Sequence, residues 1–180
     1  MSNLRKFAIS ALLIAVAFVL SFVKIIHLPF GGMVTAFSML FAGLPAYFFG
    51  IKYGFMASIV YSLIHIIVDP YIIHPFQVFL DYILPFSCFG IIGFFKDMKY
   101  GLQIGYVIAC FIRFFSSALS GYIFFSEYAP ETWNPIVYTI VYNASYVFTE
   151  CILTLILLSL KPVKKLLKDY KMRFDKWNVS

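Results

Sequence analysis

Between residues 6 and 160 the chain runs as six apolar stretches, at about 6–27, 35–50, 53–68, 77–95, 101–124 and 135–160. The breaks between them, "HLPFGG", "GIKYG", "DPYIIHP", "KDMKYG" and "SEYAPETWNP", each carry glycine, proline or charge, as chain leaving a membrane does. Crossing a bilayer takes about 20 apolar residues per helix. Of 180 residues, 62% are hydrophobic and only 12% charged, far outside the range of soluble domains. The sequence predicts an all-α membrane protein with six transmembrane helices. Residues 1–160 form the membrane domain and 161–180 a basic cytoplasmic tail.

The distribution of cations orients the bundle. Arg5, Lys6, Lys52, Lys96, Lys99 and the basic residues from Lys161 to Lys176 all fall on one face. The connections at 69–76 and 125–134 hold no Lys or Arg. Both termini are therefore expected in the cytoplasm. The net charge of +6 raises the question of a nucleic-acid partner, but most of the surplus sits in "KPVKKLLKDYKMRFDKW". Directly after a final span, such a segment meets anionic lipid or marks topology.

Two further classes fall away. The first apolar run continues well past Ala17, too long for a cleaved signal peptide, and five more spans follow. Cys88, Cys110 and Cys151 lie inside spans without a CxxC pair, which predicts neither a disulfide framework nor a metal site. His65 and His74 stand in no ligand spacing and no GxSxG is present, so the sequence predicts no enzyme and no cofactor in this chain.

Ionisable groups inside spans cost about 2.5–3.5 kcal/mol each at mid-helix and need a reason to be there. Here they are Asp81, Arg113 and Glu150. Asp81 follows Gln77 by four residues, so both project from one side of the fourth span, with Tyr82 next to it and Tyr71 in the loop outside. This acid either receives a cationic or amine-bearing ligand, or is held by the helix dipole or by Arg113. Arg113 and Ser117 stack on one face of the fifth span, and the arginine is expected to form a structural ion pair or hydrogen-bond hub. In the sixth span Tyr138 and Asn143 occupy the outer half, and Glu150 lies one heptad below Asn143. Tyr128 and Trp133 in the last outer loop read as an interfacial belt.

Together these residues predict a small pocket open to the outside, with few polar groups to continue it inward. That favours a binder over a channel. In the first span Ala11 and Ala15, extended by Ala8, form a small-xxx-small strip that admits a second helix closely.

At this point the chain resembles a family: the thiamine-specific S components, the substrate-binding subunits of energy-coupling factor transporters. The similarity runs through "GGMVTAFSML", "VDPYIIHPFQVFLDYILPF", "IRFFSSALSGYIFFSEYAPETWNP" and "YTIVYNASYV", in the family's order and spacing. The resemblance implies a six-helix S-component fold that captures the vitamin near the outer face. It also implies uptake only with a membrane coupling protein and two cytoplasmic ATPases that use the ATP. Ala11 and Ala15 match the family's docking strip, and the implied pocket is Tyr71, Asp81, Tyr82, Ser117, Phe125, Tyr138 and Asn143. The family generally has Glu at Asp81, His at Ser117 and often Trp at Phe125. These departures leave open a related pyrimidine, such as the hydroxymethyl precursor, or another small vitamin.

Overall fold

The computed structural model describes residues 2–28 and 32–179, so part of the "HLPFGG" break, 29–31, lies outside the described residues. The helices are α1 (Asn3–Phe22), α2 (Ser38–Phe49), α3 (Ile51–Val68), α4 (Pro75–Phe94), α5 (Gly101–Phe124), α6 (Pro135–Ser159) and α7 (Lys161–Val179). Five of them, α1 and α3 to α6, are long and apolar enough to cross a membrane, and α2 is a shorter apolar helix. Their outer surfaces carry exposed large apolar side chains such as Leu12, Phe115, Ile152 and Ile156, a surface suited to lipid.

The first and second spans differ from expectation. The first helix stops at Phe22, and 24–27, predicted as its last turn, is instead a strand, β1 (Lys24–His27). It pairs antiparallel with β2 (Met33–Thr35), Lys24 opposite Thr35 and His27 opposite Met33. The β-branched pair Ile25 and Ile26 suits either state, and the pairing decides it. In consequence α2 begins only at Ser38 and has 12 residues, a rise of ~18 Å that falls short of the bilayer. Non-helical backbone at such depth survives only when buried in protein. Here Val34 is fully buried, and the Glu150 carboxylate of α6 accepts bonds from both the backbone N–H (3.2 Å) and the hydroxyl (2.9 Å) of Thr35.

At the cytoplasmic end α2 turns directly into α3 through Gly50, whose φ of +87° lies where a side chain would be strained. The two helices then pack closely, and α4 closes against α3 at Gly90. A Cβ there would lie 2.8 Å from the backbone of Phe55. The main core gathers Met39, Phe89, Ile92, Tyr106 and Val147 between α2, α4, α5 and α6, with the Tyr106 and Thr154 hydroxyls paired at 3.1 Å.

Helix α4 is irregular for an identifiable reason. Pro85 has no N–H to give the carbonyl of Asp81, and just before it the helix widens into a π turn over Phe79–Ile83. Leu84 N–H donates to Phe79, five residues back, and the carbonyl of Leu80 accepts from the Ser116 hydroxyl of α5 at 2.6 Å. The basic segment expected as a tail is the helix α7, folded back so that Phe174 is buried against Phe48 and Phe49, ring centroids 5.2 Å apart in each case.

Because the Phe55 backbone as well as the root of its side chain meets the added carbon, Gly90→Ala should force α3 and α4 apart. We expect a loss of about 1–3 kcal/mol, read as a fall of several degrees in thermal unfolding in detergent. An unchanged melting temperature would mean that the α3–α4 approach is looser than described.

Candidate binding site

Four elements converge at the outer end of the bundle. The connection after α3 is held by Tyr82, whose hydroxyl accepts from the Tyr71 N–H at 2.9 Å and donates to the Asp69 carbonyl at 3.1 Å. His74 caps α4 by accepting from the Phe76 N–H at 3.1 Å, and Pro75 follows at the first helical position. Helix α6 starts in the same way, Asn134 accepting from Ile136 N–H at 2.9 Å with Pro135 behind it. Both helix starts are thus fixed around one opening.

Below that opening lies a cavity of about 410 Å³, within the ~300–1,000 Å³ usual for small-molecule sites. Of the seven positions carried over from the family, six line it: Tyr71, Asp81, Ser117, Phe125, Tyr138 and Asn143. Tyr82 does not; its hydroxyl turns to the 69–71 backbone and sets the position of Tyr71 instead. Four lining residues were not singled out by the sequence: Gly121, Thr139 and Tyr142, together with Tyr128, expected only as a belt residue. Tyr142 could have been found, because it lies four residues after Tyr138 and stacks on it at 6.0 Å. Gly121 is legible only in the structure, since a Cβ there would meet Thr139 Cγ2 at 2.7 Å.

The polar groups are pre-oriented. Gln77, itself buried, donates from Nε2 to Asp81 Oδ2 at 2.6 Å, which aims the carboxylate and leaves Oδ1 for another donor. Asn143 donates from Nδ2 to the Thr139 carbonyl at 2.9 Å, while its Oδ1 accepts from the Tyr146 hydroxyl at 2.7 Å. These two bonds fix which end of the carboxamide is which, and leave one N–H and one lone pair to meet a ligand. At the mouth, Tyr71 lies 5.8 Å from the Phe125 ring and its hydroxyl 3.1 Å from that of Tyr128. That hydrogen bond raises the Tyr71 phenol above the ordinary tyrosine value.

A second cavity, of about 270 Å³, lies across Tyr142 and is lined by Thr35, His65, Phe86, Arg113, Tyr146 and Glu150 among others. Here the structure corrects the expectation for Arg113. Among the described residues it forms no ion pair, and its Nε and Nη1 are buried without a hydrogen-bond partner. Its guanidinium instead lies 4.7 Å from the Phe86 ring, which stacks on His65 at 4.8 Å. The carboxylate that the sequence offered as its partner, Asp81, accepts from Gln77, and Glu150 accepts from Thr35. The Ala11 and Ala15 strip is exposed and lines a groove of about 370 Å³ between α1 and α3, bordered by Phe7, Tyr53, Met56 and Val60. The three cysteines are free and buried, and among the described residues no group of three or more His, Cys, Asp or Glu side chains gathers to hold a metal.

Comparison with known proteins agrees with this architecture. A solved structure of ThiT from Listeria monocytogenes superimposes with a TM-score of 0.74, covering 92% of this chain and 98% of that one; at 24% identity the likeness speaks for the fold. The thiamine transporter ThiT of Bacillus subtilis is 30% identical over 166 residues, 83% of this chain and 86% of that protein. The family model described as thiamine transporter protein (Thia_YuaJ) matches residues 7–168. This multi-pass membrane protein belongs to the thiamine transporter protein family.

Proposed function

We propose that the chain captures thiamine from outside the cell, as the substrate-binding subunit of an energy-coupling factor importer. The observation that carries this reading is the outer cavity, in which an aimed carboxylate and a fixed carboxamide face a set of aromatic rings. Thiamine needs those two kinds of partner. Its aminopyrimidine presents a donor and acceptors along one edge, and Asp81 with Asn143 offers the complement. Its thiazolium is a permanent cation, which Tyr71, Phe125, Tyr138 and Tyr142 can hold for about 0.5–2 kcal/mol per face. Tyr82 acts through Tyr71, and Ser117 leaves room where the family usually has a ring.

Transport needs more than a pocket. The α1–α3 groove, floored by Ala11 and Ala15, would receive a helix of a membrane coupling protein, because small residues let backbones approach. That protein would bring two cytoplasmic ATPases, and the ATP would be spent there, with no cofactor in this chain. One second reading has its own support: the shorter Asp81, the ring absent at Ser117 and the smaller ring at Phe125 suit a hydroxymethylated aminopyrimidine without the thiazolium.

Calorimetric titration of the purified protein separates these readings, and saturable binding of thiamine at micromolar concentration or below is expected. No heat with thiamine but binding of the hydroxymethylpyrimidine would transfer the assignment to the second reading. Asp81→Ala and Asn143→Ala should each weaken binding by about 10–150-fold, the worth of a lost hydrogen bond to a charged or fixed group, while the protein still melts cooperatively. Unchanged affinity in both would move the site elsewhere. By contrast, Ala11→Trp or Ala15→Trp should abolish uptake into cells and leave the titration unaltered. Uptake that survived would rule out docking through this groove.

A further inference from the structure

We infer that α7 buttresses the α1–α3 groove: through Phe174 it fixes a chain of rings, Phe49, Tyr53 and Phe7, that forms the groove's cytoplasmic end. This rests on the reading of that groove as the face that receives a partner's apolar helix. Near the far end of α7, Phe174 is buried with its ring centroid 5.2 Å from those of Phe48 and Phe49, the last two residues of α2. Tyr170, one turn earlier, stacks on Phe174 at 6.1 Å. Lys171 adds a second hold, its ammonium lying 4.9 Å from the Tyr47 ring and 3.5 Å from Asp97 and donating to the Lys96 carbonyl. This end of α7 therefore grips α2 at 47–49 and the turn after α4 at 96–97.

Phe49 carries the contact onward. Its ring meets that of Tyr53, in the first turn of α3, edge-on at 6.1 Å. Tyr53 in turn meets Phe7 of α1 at 5.1 Å, again edge-on. The Tyr53 hydroxyl donates to Asn3 Oδ1 at 2.8 Å, and the Lys6 ammonium lies 5.4 Å from the same ring. Tyr53 thus clasps the first turns of α1 to the start of α3. Phe7 and Tyr53 both line the groove, and Phe7 stands four residues before Ala11 on the same face of α1. A helix seated on Ala11 and Ala15 runs next onto these two rings. Aromatic pairs hold edge-to-face or offset geometry at ring separations of about 4.5–7 Å, so each ring limits the rotamers of the next. Phe49 is only half-buried. Without Phe174 one side of its ring loses its neighbour, and neither Phe49 nor the Tyr53 that leans on it keeps a fixed rotamer. None of these rings lines the outer or the second cavity, so the effect is confined to docking.

The test follows labelled thiamine into cells whose uptake depends on this chain, beside calorimetric titration of the purified full chain with thiamine. Phe174→Ala should lower the uptake rate about fivefold at low expression, the worth of one lost aromatic pair, and leave thiamine affinity unchanged. Supplying more of the variant should restore the rate, because weakened docking obeys mass action. Phe174→Leu fills the same apolar site without a ring, keeps α7 packed and should show a smaller fall of the same kind. In Tyr53→Ala the further change Phe174→Ala should cost little more, since both break one chain of contacts. Hydrogen exchange of the purified chain needs no partner: amides at 5–8 and 53–56 should exchange about fivefold faster in Phe174→Ala, and those at 138–147 at unaltered rates. Undiminished uptake at low expression, unchanged exchange at both sites, or a parallel loss of thiamine affinity overturns the proposal. If Ala15→Trp abolishes uptake and Phe174→Ala does not, the buttress alone falls. If Ala15→Trp leaves uptake intact, the docking reading fails and takes the buttress with it.

Discussion

The bond between Glu150 and Thr35 is the contact on which the outer half of the molecule depends. Between Phe22, where α1 ends, and Ser38 the described residues, 23–28 and 32–37, are non-helical backbone next to hydrocarbon. Each unpaired N–H or C=O at such a place costs several kcal/mol. The hairpin satisfies part of this by its own pairing, and the carboxylate of Glu150 answers the N–H and hydroxyl of Thr35 together. A buried carboxylate is itself expensive, and with the N–H of Thr35 and a hydroxyl shared between its two oxygens it is tolerable. With β2 held in this way α2 can be short and deeply buried, so the hairpin rather than a helix forms one wall of the second cavity.

The same rule, that lipid will not pair the backbone, explains how Asp81 reaches its place. Pro85 leaves a carbonyl one turn below without its usual donor, and the helix responds with a π turn. The widened turn exposes Leu80 C=O, and Ser116 pays for it from the next helix. The irregular turn thus contains the acid of the cavity and is fixed by a bond that α5 supplies.

Much of this was legible before any coordinates. The apolar runs and the prolines at the starts of α4 and α6 are local or additive signals, and they gave the bundle. Six of the seven residues that the family motifs named line the outer cavity. What was hidden depends on pairing across the chain. "KIIH" looks like the end of a span until its partner strand is known. Tyr82 looks like a pocket residue until its hydroxyl is seen on the loop. Arg113 carries the charge expected of a hub, yet among the described residues no carboxylate comes within ion-pair distance, and its guanidinium lies against the Phe86 ring. The basic end of the chain read as a tail because one buried phenylalanine among seven cations is a weak sequence signal.

Helix α6 shows why a polar residue in a span cannot be given a role from its position alone. Thr139, Asn143, Glu150 and Thr154 recur at spacings of four, seven and four, one buried stripe running down the whole helix. By periodicity the four are equivalent, all facing inward as polar groups in lipid must. The cavity distinguishes them. Thr139 and Asn143 stand where α4, α5 and α6 part, and the Asn143 carboxamide keeps unused valences there. Glu150 borders the second cavity with its oxygens turned to Thr35, and Thr154 is buried against Tyr106. Binding capacity in this stripe is therefore what packing leaves unsatisfied, and the divergence of the helices near the outer face decides where that remainder is.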